Sequence, residues 1–226
     1  MDLLESFHII CGHYGCGKTN LALNLAMDLV REGKKVTLVD LDIVNPYFRS
    51  SDYEELLEEK GIQLIAPIFA HTNVDMPALP AELESIFSMR DRMVIIDVGG
   101  DDAGAVALGR YAHTIRQMGR FSMHYVVNRY RALTTQPEEA AALLREIEAA
   151  CRLKATGVVN NSHMQDLTTG EDILRSVDYA KKTAELLGLP LVTNTCPRAL
   201  YPDLSAKVTP LYPVDRYVRP PWEAGE

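Results

Sequence analysis

Long apolar runs are missing from this sequence, because no stretch of about 18 consecutive apolar residues is present to form a membrane-crossing helix. The first residues, Met1-Asp2-Leu3-Leu4-Glu5, also lack the basic start and the apolar stretch of a signal peptide. The last residues contain proline and glutamate and do not form a basic amphipathic helix that would attach the chain to a membrane surface. We therefore expect a cytoplasmic protein without a membrane anchor.

Cysteine pairs and an excess of basic charge are also missing. The four cysteines are dispersed and include no C-x-x-C pair, so neither a disulfide framework nor a preformed cysteine metal site is indicated. The formal net charge is −8, whereas neutralising nucleic-acid phosphates requires clustered lysine and arginine. The sequence therefore predicts no general nucleic-acid surface.

What the sequence does contain is a regular alternation of strand and helix patterns. Its 226 residues fit one α/β domain over 1–226, without a linker or an internal repeat. The predicted strands are Phe7–Cys11, Lys35–Asp40, Ile62–Ala66, Met93–Asp97, Met123–Asn128, Ala155–Asn160 and Leu191–Thr195. The predicted helices are Lys18–Glu32, Tyr53–Lys60, Ala81–Ser88, Ala103–Met118, Pro137–Cys151 and Thr169–Leu187. This order predicts a three-layer α/β sandwich with a mostly parallel seven-stranded sheet.

Residues 198–226 break this alternation. They are rich in proline and tyrosine, from Tyr201-Pro202 through Tyr212-Pro213 to Pro220-Pro221-Trp222. We expect an irregular tail packed on the domain, because tyrosine and tryptophan seldom decorate a free disordered end. A docking segment for a partner is the alternative.

Residues 12–19 match the phosphate-binding pattern G-x-x-x-x-G-K-[ST], with the sequence Gly12-His13-Tyr14-Gly15-Cys16-Gly17-Lys18-Thr19. The pattern follows an apolar strand and precedes an amphipathic helix, which is the context that the motif requires. Its glycines let the backbone wrap an anion, while Lys18 supplies a positive charge and Thr19 a magnesium-binding hydroxyl. The sequence therefore predicts a P-loop.

Acidic segments end two of the predicted strands, at Asp40-Leu41-Asp42 and at Asp97-Val98-Gly99-Gly100. Both lie at the carboxyl edge of the predicted sheet, where open α/β sheets bind ligands. Mg²⁺ prefers hard oxygen ligands, which would come from Thr19, Asp42 and Asp97. Asp40 fits a helix cap equally well, and Asp101 and Asp102 fit caps of the next helix better than ligands.

Together these residues resemble the MinD/ParA-like branch of P-loop ATPases, the SIMIBI class, which includes the nitrogenase iron protein, dethiobiotin synthetase and CobQ/CobB-type domains. The resemblance covers most of the chain. It depends on the P-loop, Asp40–Asp42, Asp97–Gly100, Val159-Asn160-Asn161 and Cys196-Pro197-Arg198. It implies an ATP hydrolase that uses ATP and Mg²⁺ and acts on a protein partner or as a homodimer.

The resemblance also implies a role for each segment. Asp42 would lie in the first switch, Asp97 would be the Walker B carboxylate, and Gly100 would belong to the second switch. Asn160 would hydrogen-bond the adenine, and the loop after the seventh strand would close over the base. The implied catalytic residues are Lys18, Asp42 and Asp97. The implied nucleotide contacts are Gly12, His13, Tyr14, Gly15, Cys16, Gly17, Lys18, Thr19, Asn20, Gly100, Asn160, Pro197 and Arg198.

The choice of base is predicted from a missing acceptor. GTP-specific relatives carry N-K-x-D, whose aspartate accepts hydrogen bonds from guanine. Neither Asn128-Arg129-Tyr130-Arg131 nor Asn160-Asn161-Ser162-His163 contains that aspartate. The sequence therefore favours ATP over GTP.

His13 departs from the family pattern G-K-G-G-x-G-K-[ST], in which the first lysine reaches across a dimer to the partner's phosphates. A protonated His13 could take a similar role, and otherwise it is a packing residue of the loop or a weak phosphate contact. Arg129 and Arg131 are candidates for the missing positive charge, in the same chain or across a dimer. Cysteines that would bridge an iron–sulfur cluster in relatives are also missing, so no cluster is expected.

Three functions are compatible with the sequence. The leading hypothesis is an ATPase whose nucleotide state regulates, matures or loads a partner protein, with Asp42–Arg49 as its first switch. A small-molecule ligase or kinase is the second, because the long loop around His71, Asn73 and Asp75 is a possible substrate pocket. The third is a nucleotide-binding module without turnover, which is consistent with the missing lysine.

Overall fold

A computed structural model of the chain describes residues 5–42, 49–67, 82–100 and 102–219. Within these ranges one eight-stranded sheet has the order β3-β2-β4-β1-β5-β6-β7-β8, and its recorded strand pairs are parallel. The strands are β1 (Phe7–Gly12), β2 (Val36–Leu41), β3 (Gln63–Ile65), β4 (Met93–Val98), β5 (Ser122–Val127), β6 (Gly157–Asn160), β7 (Leu191–Pro197) and β8 (Leu211–Val214). Parallel strands bring their carboxyl ends to one edge, so the loops that follow them gather there.

Helices cover both faces of this sheet. They are α1 (Lys18–Arg31), α2 (Glu54–Glu59), α3 (Glu82–Ser85), α4 (Asp102–Gly109), α5 (Ala112–Met118), α6 (Pro137–Cys151), α7 (Gly170–Leu187) and α8 (Tyr201–Leu204). One core contains apolar residues of α1 and α2, and the other contains those of α4, α5, α6 and α7. Successive residues of β1 serve both, because Ile9 packs into one core and Ile10 into the other. The predicted three-layer α/β fold is confirmed.

Local sequence signals set the ends of the longer helices. Pro137 opens α6, and the side chains of Gln136 and Glu139 form a reciprocal cap around its first turn. Thr169 caps α7 by accepting a hydrogen bond from the backbone N–H of Asp172 at 3.3 Å. These are the positions at which the sequence predicts a helix to begin.

The sheet has one strand more than predicted, because β8 lies inside the tail that was expected to be irregular. It alternates buried and half-buried residues, with Tyr212 and Val214 packed against the core of α1. Pro213 cannot donate a hydrogen bond to a neighbouring strand, and β8 is accordingly the edge strand beside β7. The prolines that suggested an irregular tail are therefore compatible with an edge strand.

The predicted helix Ala103–Met118 is also different, since it is divided into α4 and α5. The backbone of Gly109 lies against α6, where a side-chain carbon on it would stand 2.9 Å from the carbonyl oxygen of Ala150. The turn at Arg110 and Tyr111 then makes i→i−3 hydrogen bonds in place of helical ones. Close packing of α4 on α6 therefore ends the helix at a glycine.

Several sequence predictions lie outside the described residues. These are the loop around His71, Asn73 and Asp75, most of the first-switch segment Asp42–Arg49, Asp101, and Pro220-Pro221-Trp222. Among the helices in the described ranges, none is both long and apolar enough to cross a membrane.

Candidate functional site: a P-loop and two adjoining cavities

The P-loop connects β1 to α1, as the sequence pattern predicts. Gly17 precedes α1 in a left-handed conformation with φ 90°, which glycine adopts without strain. A side-chain carbon there would also lie 2.3 Å from Nδ2 of Asn161, and one on Gly12 would lie 2.4 Å from the carbonyl oxygen of Val126. Both glycines are required because the loop folds tightly against the loop after β6 and against β5.

Two hydrogen bonds fix the shape of the loop. The buried Lys18 donates from Nζ to the carbonyl oxygen of His13 at 3.0 Å, across the mouth of the loop. Asn161 donates from Nδ2 to the carbonyl oxygen of Cys16 at 2.7 Å. The side-chain oxygen of Asn161 is itself held by the hydroxyl of Thr195 at 2.6 Å. The loop is therefore held in place by its own lysine and by the ends of β6 and β7.

A cavity of about 300 Å³ opens above the loop. It brings together seven of the predicted site residues, namely Tyr14, Gly15, Gly17, Lys18, Thr19, Asn20 and Asp42. Arg131, Gln165 and Val218 complete its wall. The backbone N–H groups at the start of α1 and the Lys18 ammonium together favour a phosphate group in this position.

The predicted Walker B carboxylate, Asp97, is buried beside this cavity. Its Oδ2 accepts a hydrogen bond from the hydroxyl of Ser50 at 2.8 Å, and its Oδ1 has no hydrogen-bond partner among the described residues. Burial and the neighbouring Asp40 raise the pKa of Asp97 to about 7, although Lys18 and hydrogen bonds from Ser50 and Thr19 oppose the shift. A buried carboxylate oxygen without a partner is suited to a cation or to a water bound to one.

Asp40 lies opposite Asp97 in the register of β2 and β4. Its two carboxylate oxygens accept from the backbone N–H groups of Asp42 and Ser51, each at 2.9 Å. Burial raises its pKa above the ordinary value, while these hydrogen bonds oppose the shift. Asp40 therefore anchors the chain on both sides of the first-switch segment, and Asp42 is the residue of this pair that lines the cavity.

The second predicted switch begins at Gly100, which lies against the P-loop. A side-chain carbon on Gly100 would stand 2.6 Å from Cα of Tyr14 and 2.9 Å from Nζ of Lys18. Only glycine fits this contact, so the backbone after Asp97 lies directly beside the loop. Asp102 is the first residue of α4 and contributes an acidic group to its first turn, in agreement with its interpretation as a helix-end residue.

His13 does not supply a fixed positive charge. Partial burial and the neighbouring Lys18 lower the pKa of its imidazole below 6.5. The imidazole is therefore harder to protonate than a free one, and a neutral ring brings no positive charge to the loop. Its backbone carbonyl oxygen accepts the Lys18 hydrogen bond, and the role of its side chain stays a prediction.

The two arginines proposed as replacements lie in different surroundings. Arg129 donates from one guanidinium nitrogen to the carbonyl oxygen of Arg175 at 2.6 Å and lies over the rings of Tyr130 and Tyr179. Arg131 lines the cavity above the P-loop. Only Arg131 is thus positioned to meet a bound phosphate.

A second cavity of about 190 Å³ adjoins the first and shares Asn20 and Gln165 with it. Pro197 and Arg198 line it, as expected for the loop after β7, together with His163 and Asp215. Arg198 also forms an ion pair with Asp215 at 2.8 Å.

Asn160 does not line either cavity, so its predicted contact with adenine stays a prediction that no described contact supports. Its amide is buried and donates to the hydroxyl of Ser176 at 2.9 Å and to the side chain of Asn194 at 2.8 Å, while its oxygen accepts from the N–H of Ser162. Successive residues at a strand end point to opposite sides, so Asn161 faces the P-loop instead. That alternation is the sequence signal that would have selected Asn161.

The tail segment 211–219 was not recognised as part of the site. Asn20 and Asn24 of α1 hold it through five hydrogen bonds of 2.7–3.1 Å to the backbone of Asp215, Tyr217 and Val218. Val218 consequently forms part of the wall of the first cavity. These contacts join residues more than 190 positions apart, and no local pattern reveals them.

Comparison with known proteins agrees with this geometry. A family model described as the CobQ/CobB/MinD/ParA nucleotide binding domain, CbiA, matches residues 9–168, which is more than half of the chain. The comparison with curated proteins gives no match. The matched segment contains the P-loop and the acidic segments that carried the sequence resemblance.

Solved structures share the fold. Signal recognition particle 54 kDa protein from Aeropyrum pernix K1, in complex with GDP, has a TM-score of 0.54 at 19% identity, covering 84% of this chain and 41% of that one. FtsY from Mycoplasma mycoides has a TM-score of 0.55 at 18% identity, covering 84% and 60%. Cell division protein ftsY from Thermotoga maritima has 0.55 at 20%, covering 82% and 60%.

The present chain thus spans 41–60% of the length of these structures, and at such identities the likeness shows the fold alone. The family assignment depends on the family model, which covers the P-loop, both acidic segments and β5. The chain belongs to the CobQ/CobB/MinD/ParA family of nucleotide-binding domains.

Proposed function

We propose that this chain is a Mg²⁺-dependent ATPase whose nucleotide state changes the first-switch segment and thereby controls a partner protein or a second copy of the chain. The observation that carries the proposal is the hydrogen bond from Ser50, at the end of that segment, to Asp97 beside the P-loop. A shift of the Asp97 carboxylate on nucleotide binding would act on Ser50 directly through this hydrogen bond.

Mg²⁺ fits the residues at this position. Thr19 and Asp97 interact directly, Asp42 lines the same cavity, and Oδ1 of Asp97 is buried without a partner among the described residues. Within those residues no group of three or more His, Cys, Asp and Glu forms a metal site by itself. A P-loop magnesium ion needs no such group, because phosphate oxygens and water complete its shell. Bound there, the ion would neutralise charge on the transferred phosphate.

ATP is the proposed nucleotide because the chain lacks the aspartate that binds guanine at the N-K-x-D position. Two carboxylates lie on the wall of the second cavity, Asp166 and Asp215, and each forms an ion pair with an arginine. We propose that the base lies between Gln165 and the loop of Pro197 and Arg198.

The role as a switch is supported by the way the first-switch segment is attached. Asp40 holds the N–H of Asp42 before it and the N–H of Ser51 after it, so both ends depend on one carboxylate. A change at Asp40 or Asp97 on nucleotide binding would therefore reach Asp42, Ser50 and Ser51 directly. The ligase alternative depended on the loop around His71, which lies outside the described residues, and no described contact favours it.

Phosphate release from ATP tests this proposal. We expect slow turnover that requires Mg²⁺, is abolished by EDTA, and is lost in Lys18→Ala but retained in Lys34→Ala, which changes an exposed lysine beyond the end of α1. GTP should be the poorer substrate. Tight ATP binding without phosphate release, alone and at high protein concentration, would instead identify a binding module.

A further inference from the structure

Arg131 is close enough to the P-loop to supply the missing positive charge. Arg131 lies in the loop between β5 and α6, and its side chain extends over the P-loop. Its Nε and Cζ stand 3.5 and 3.7 Å from the point that a side-chain carbon on Gly15 would occupy. The guanidinium therefore lies close to the backbone of the P-loop at Gly15.

The backbone of Arg131 is held firmly. Its N–H donates to the carbonyl oxygen of Asn128 at 3.1 Å, and its carbonyl oxygen accepts from the N–H of Thr134 at 3.3 Å. Thr134 is buried, and its own carbonyl oxygen accepts from the hydroxyl of Tyr179 at 2.6 Å. The starting point of the side chain is thus fixed by β5 and α7, and only the side chain itself has to adjust to a ligand.

Within the part of the chain that the structure describes, the charge of Arg131 is available to a ligand. Among the described residues its guanidinium has no hydrogen bond or ion pair, whereas Arg129 two residues earlier is engaged by Arg175 and two tyrosine rings. The charge nevertheless reaches the site. Burial and, to a smaller extent, Arg131 lower the pKa of His163 to about 4, whereas burial raises the pKa of the Cys16 thiol and Arg131 opposes that rise. An anion in the loop would meet this charge.

The position along the cavity indicates which phosphate is involved. Tyr14 adjoins Gly100, and Nζ of Lys18 lies at the same contact, while Arg131 lies against the next residue of the loop, Gly15. Asn20 and Gln165, which are shared with the second cavity, mark the opposite direction. Arg131 therefore stands nearer the end where the last phosphate of a triphosphate would lie.

We propose that Arg131 binds the terminal phosphate of ATP bound to its own chain and supplies the positive charge that His13 does not. This inference rests on the proposed function, since it needs ATP in the cavity. A guanidinium makes two parallel hydrogen bonds to a phosphate and stays charged at any physiological pH. It stabilises a triphosphate more than a diphosphate, because a diphosphate lacks the group that it contacts.

Arg131→Ala tests the contact, with titration calorimetry of a non-hydrolysable ATP analogue and of ADP in Mg²⁺. We expect about 10- to 100-fold weaker binding of the analogue and less than about 3-fold for ADP, as for the loss of a charged hydrogen bond. Arg131→Lys should be intermediate. Arg145→Ala is the matched control, because Arg145 is exposed on α6 and makes no hydrogen bond or ion pair among the described residues.

A second arm separates contact within one chain from contact across a dimer. Lys18→Ala and Arg131→Ala chains are mixed and assayed for phosphate release. If Arg131 acts within its own chain, the mixture releases phosphate no faster than its Arg131→Ala component does alone at the same concentration. Restored activity would overturn the inference, because one site would then combine Lys18 of one chain with Arg131 of the other.

The outcomes also separate the inference from the proposed function. If wild type binds no nucleotide, both fail. If wild type binds the analogue and Arg131→Ala binds it equally well, with an unchanged melting temperature, only the role of Arg131 is wrong. If Arg131→Ala does not fold, Arg131→Gln takes its place with the same expected loss and the same contradicting result.

Discussion

Two sides of the site are built in different ways. The P-loop side comprises residues 12–19 with Asp97 and Gly100, and it is made of short motifs whose charges are buried or face a cavity. The tail side comprises the second cavity and residues 211–219, and it is held by asparagines of α1 that bind a distant backbone. The P-loop side can distinguish ligands by the charge of their phosphates. The tail side forms part of the cavity wall, and we expect its contribution to binding to depend little on the charge of the ligand.

The comparison predicts that mutations on the P-loop side will change the affinities for ADP and ATP by different factors or will lower the rate of phosphate release. Mutations on the tail side should reduce stability and weaken all nucleotides alike. Four substitutions test this difference, from the largest expected effect to the smallest.

Lys18→Ala should abolish measurable nucleotide binding. Removing a buried cation that faces phosphate costs about 100- to 1,000-fold or more in affinity. Calorimetry with ADP and with an ATP analogue measures it, and Lys34→Ala is the control. Binding of ADP by Lys18→Ala within 10-fold of wild type would place the phosphates elsewhere.

Asp97→Asn should stop turnover while leaving ADP binding within about 3-fold. Neutralising the carboxylate removes support for the metal ion, and we expect a loss in kcat on the order of 100-fold. Phosphate release measured against Mg²⁺ concentration is the assay. Asp102→Asn, at the start of α4, is the control, and equal losses in both variants would contradict a special role for Asp97.

Asn24→Ala should act mainly on stability. Asn24 is buried, donates to the carbonyl oxygens of Asn20 and Asp215, and accepts from the N–H of Asp215. Leaving those groups unpaired should lower the free energy of unfolding by about 2 kcal/mol. Urea unfolding measures this, with exposed Glu32→Ala as the control. The affinities for ADP and the ATP analogue should fall by the same factor. A fall in affinity for the analogue alone would contradict the proposed difference between the two sides of the site.

Arg198→Ala should have the smallest effect. Its ion pair with Asp215 is substantially exposed, so its loss should cost less than about 1 kcal/mol of stability. Nucleotide affinity should fall by less than about 5-fold, equally for ADP and the analogue. Asp215→Asn is the partner control in the same unfolding and binding assays. A fall in nucleotide affinity of more than 100-fold would instead show that Arg198 is a principal contact of the nucleotide.

The same difference explains what the sequence could predict. The P-loop and the acidic strand ends are contiguous, and their chemistry and neighbouring patterns identify them without tertiary information. The strand β8 was missed because Pro213 resembles a loop residue until the edge position of the strand is known. Asn24 was missed because its partner lies 191 residues away in the chain.

Two pairs of neighbours show where sequence reasoning stops. Asn160 and Asn161 have the same side chain, and only their sides of the sheet decide that one enters a buried network and the other holds the loop. Arg129 and Arg131 are equivalent candidates in the sequence for the missing positive charge. In the structure they differ, because the guanidinium of Arg129 donates to the carbonyl oxygen of Arg175. In both pairs the deciding information is the direction of a side chain, which composition and spacing do not contain.

Hydrogen exchange at Ser50–Tyr53 tests the proposed switch most directly. The N–H of Ser51 is bonded to Asp40, and the hydroxyl of Ser50 to Asp97. Amide exchange by mass spectrometry compares the protein with Mg²⁺ and ADP and with Mg²⁺ and a non-hydrolysable ATP analogue. We predict slower exchange in this segment with the analogue than with ADP, and no such difference in Lys18→Ala. Identical exchange in the two nucleotide states of wild type would contradict the account.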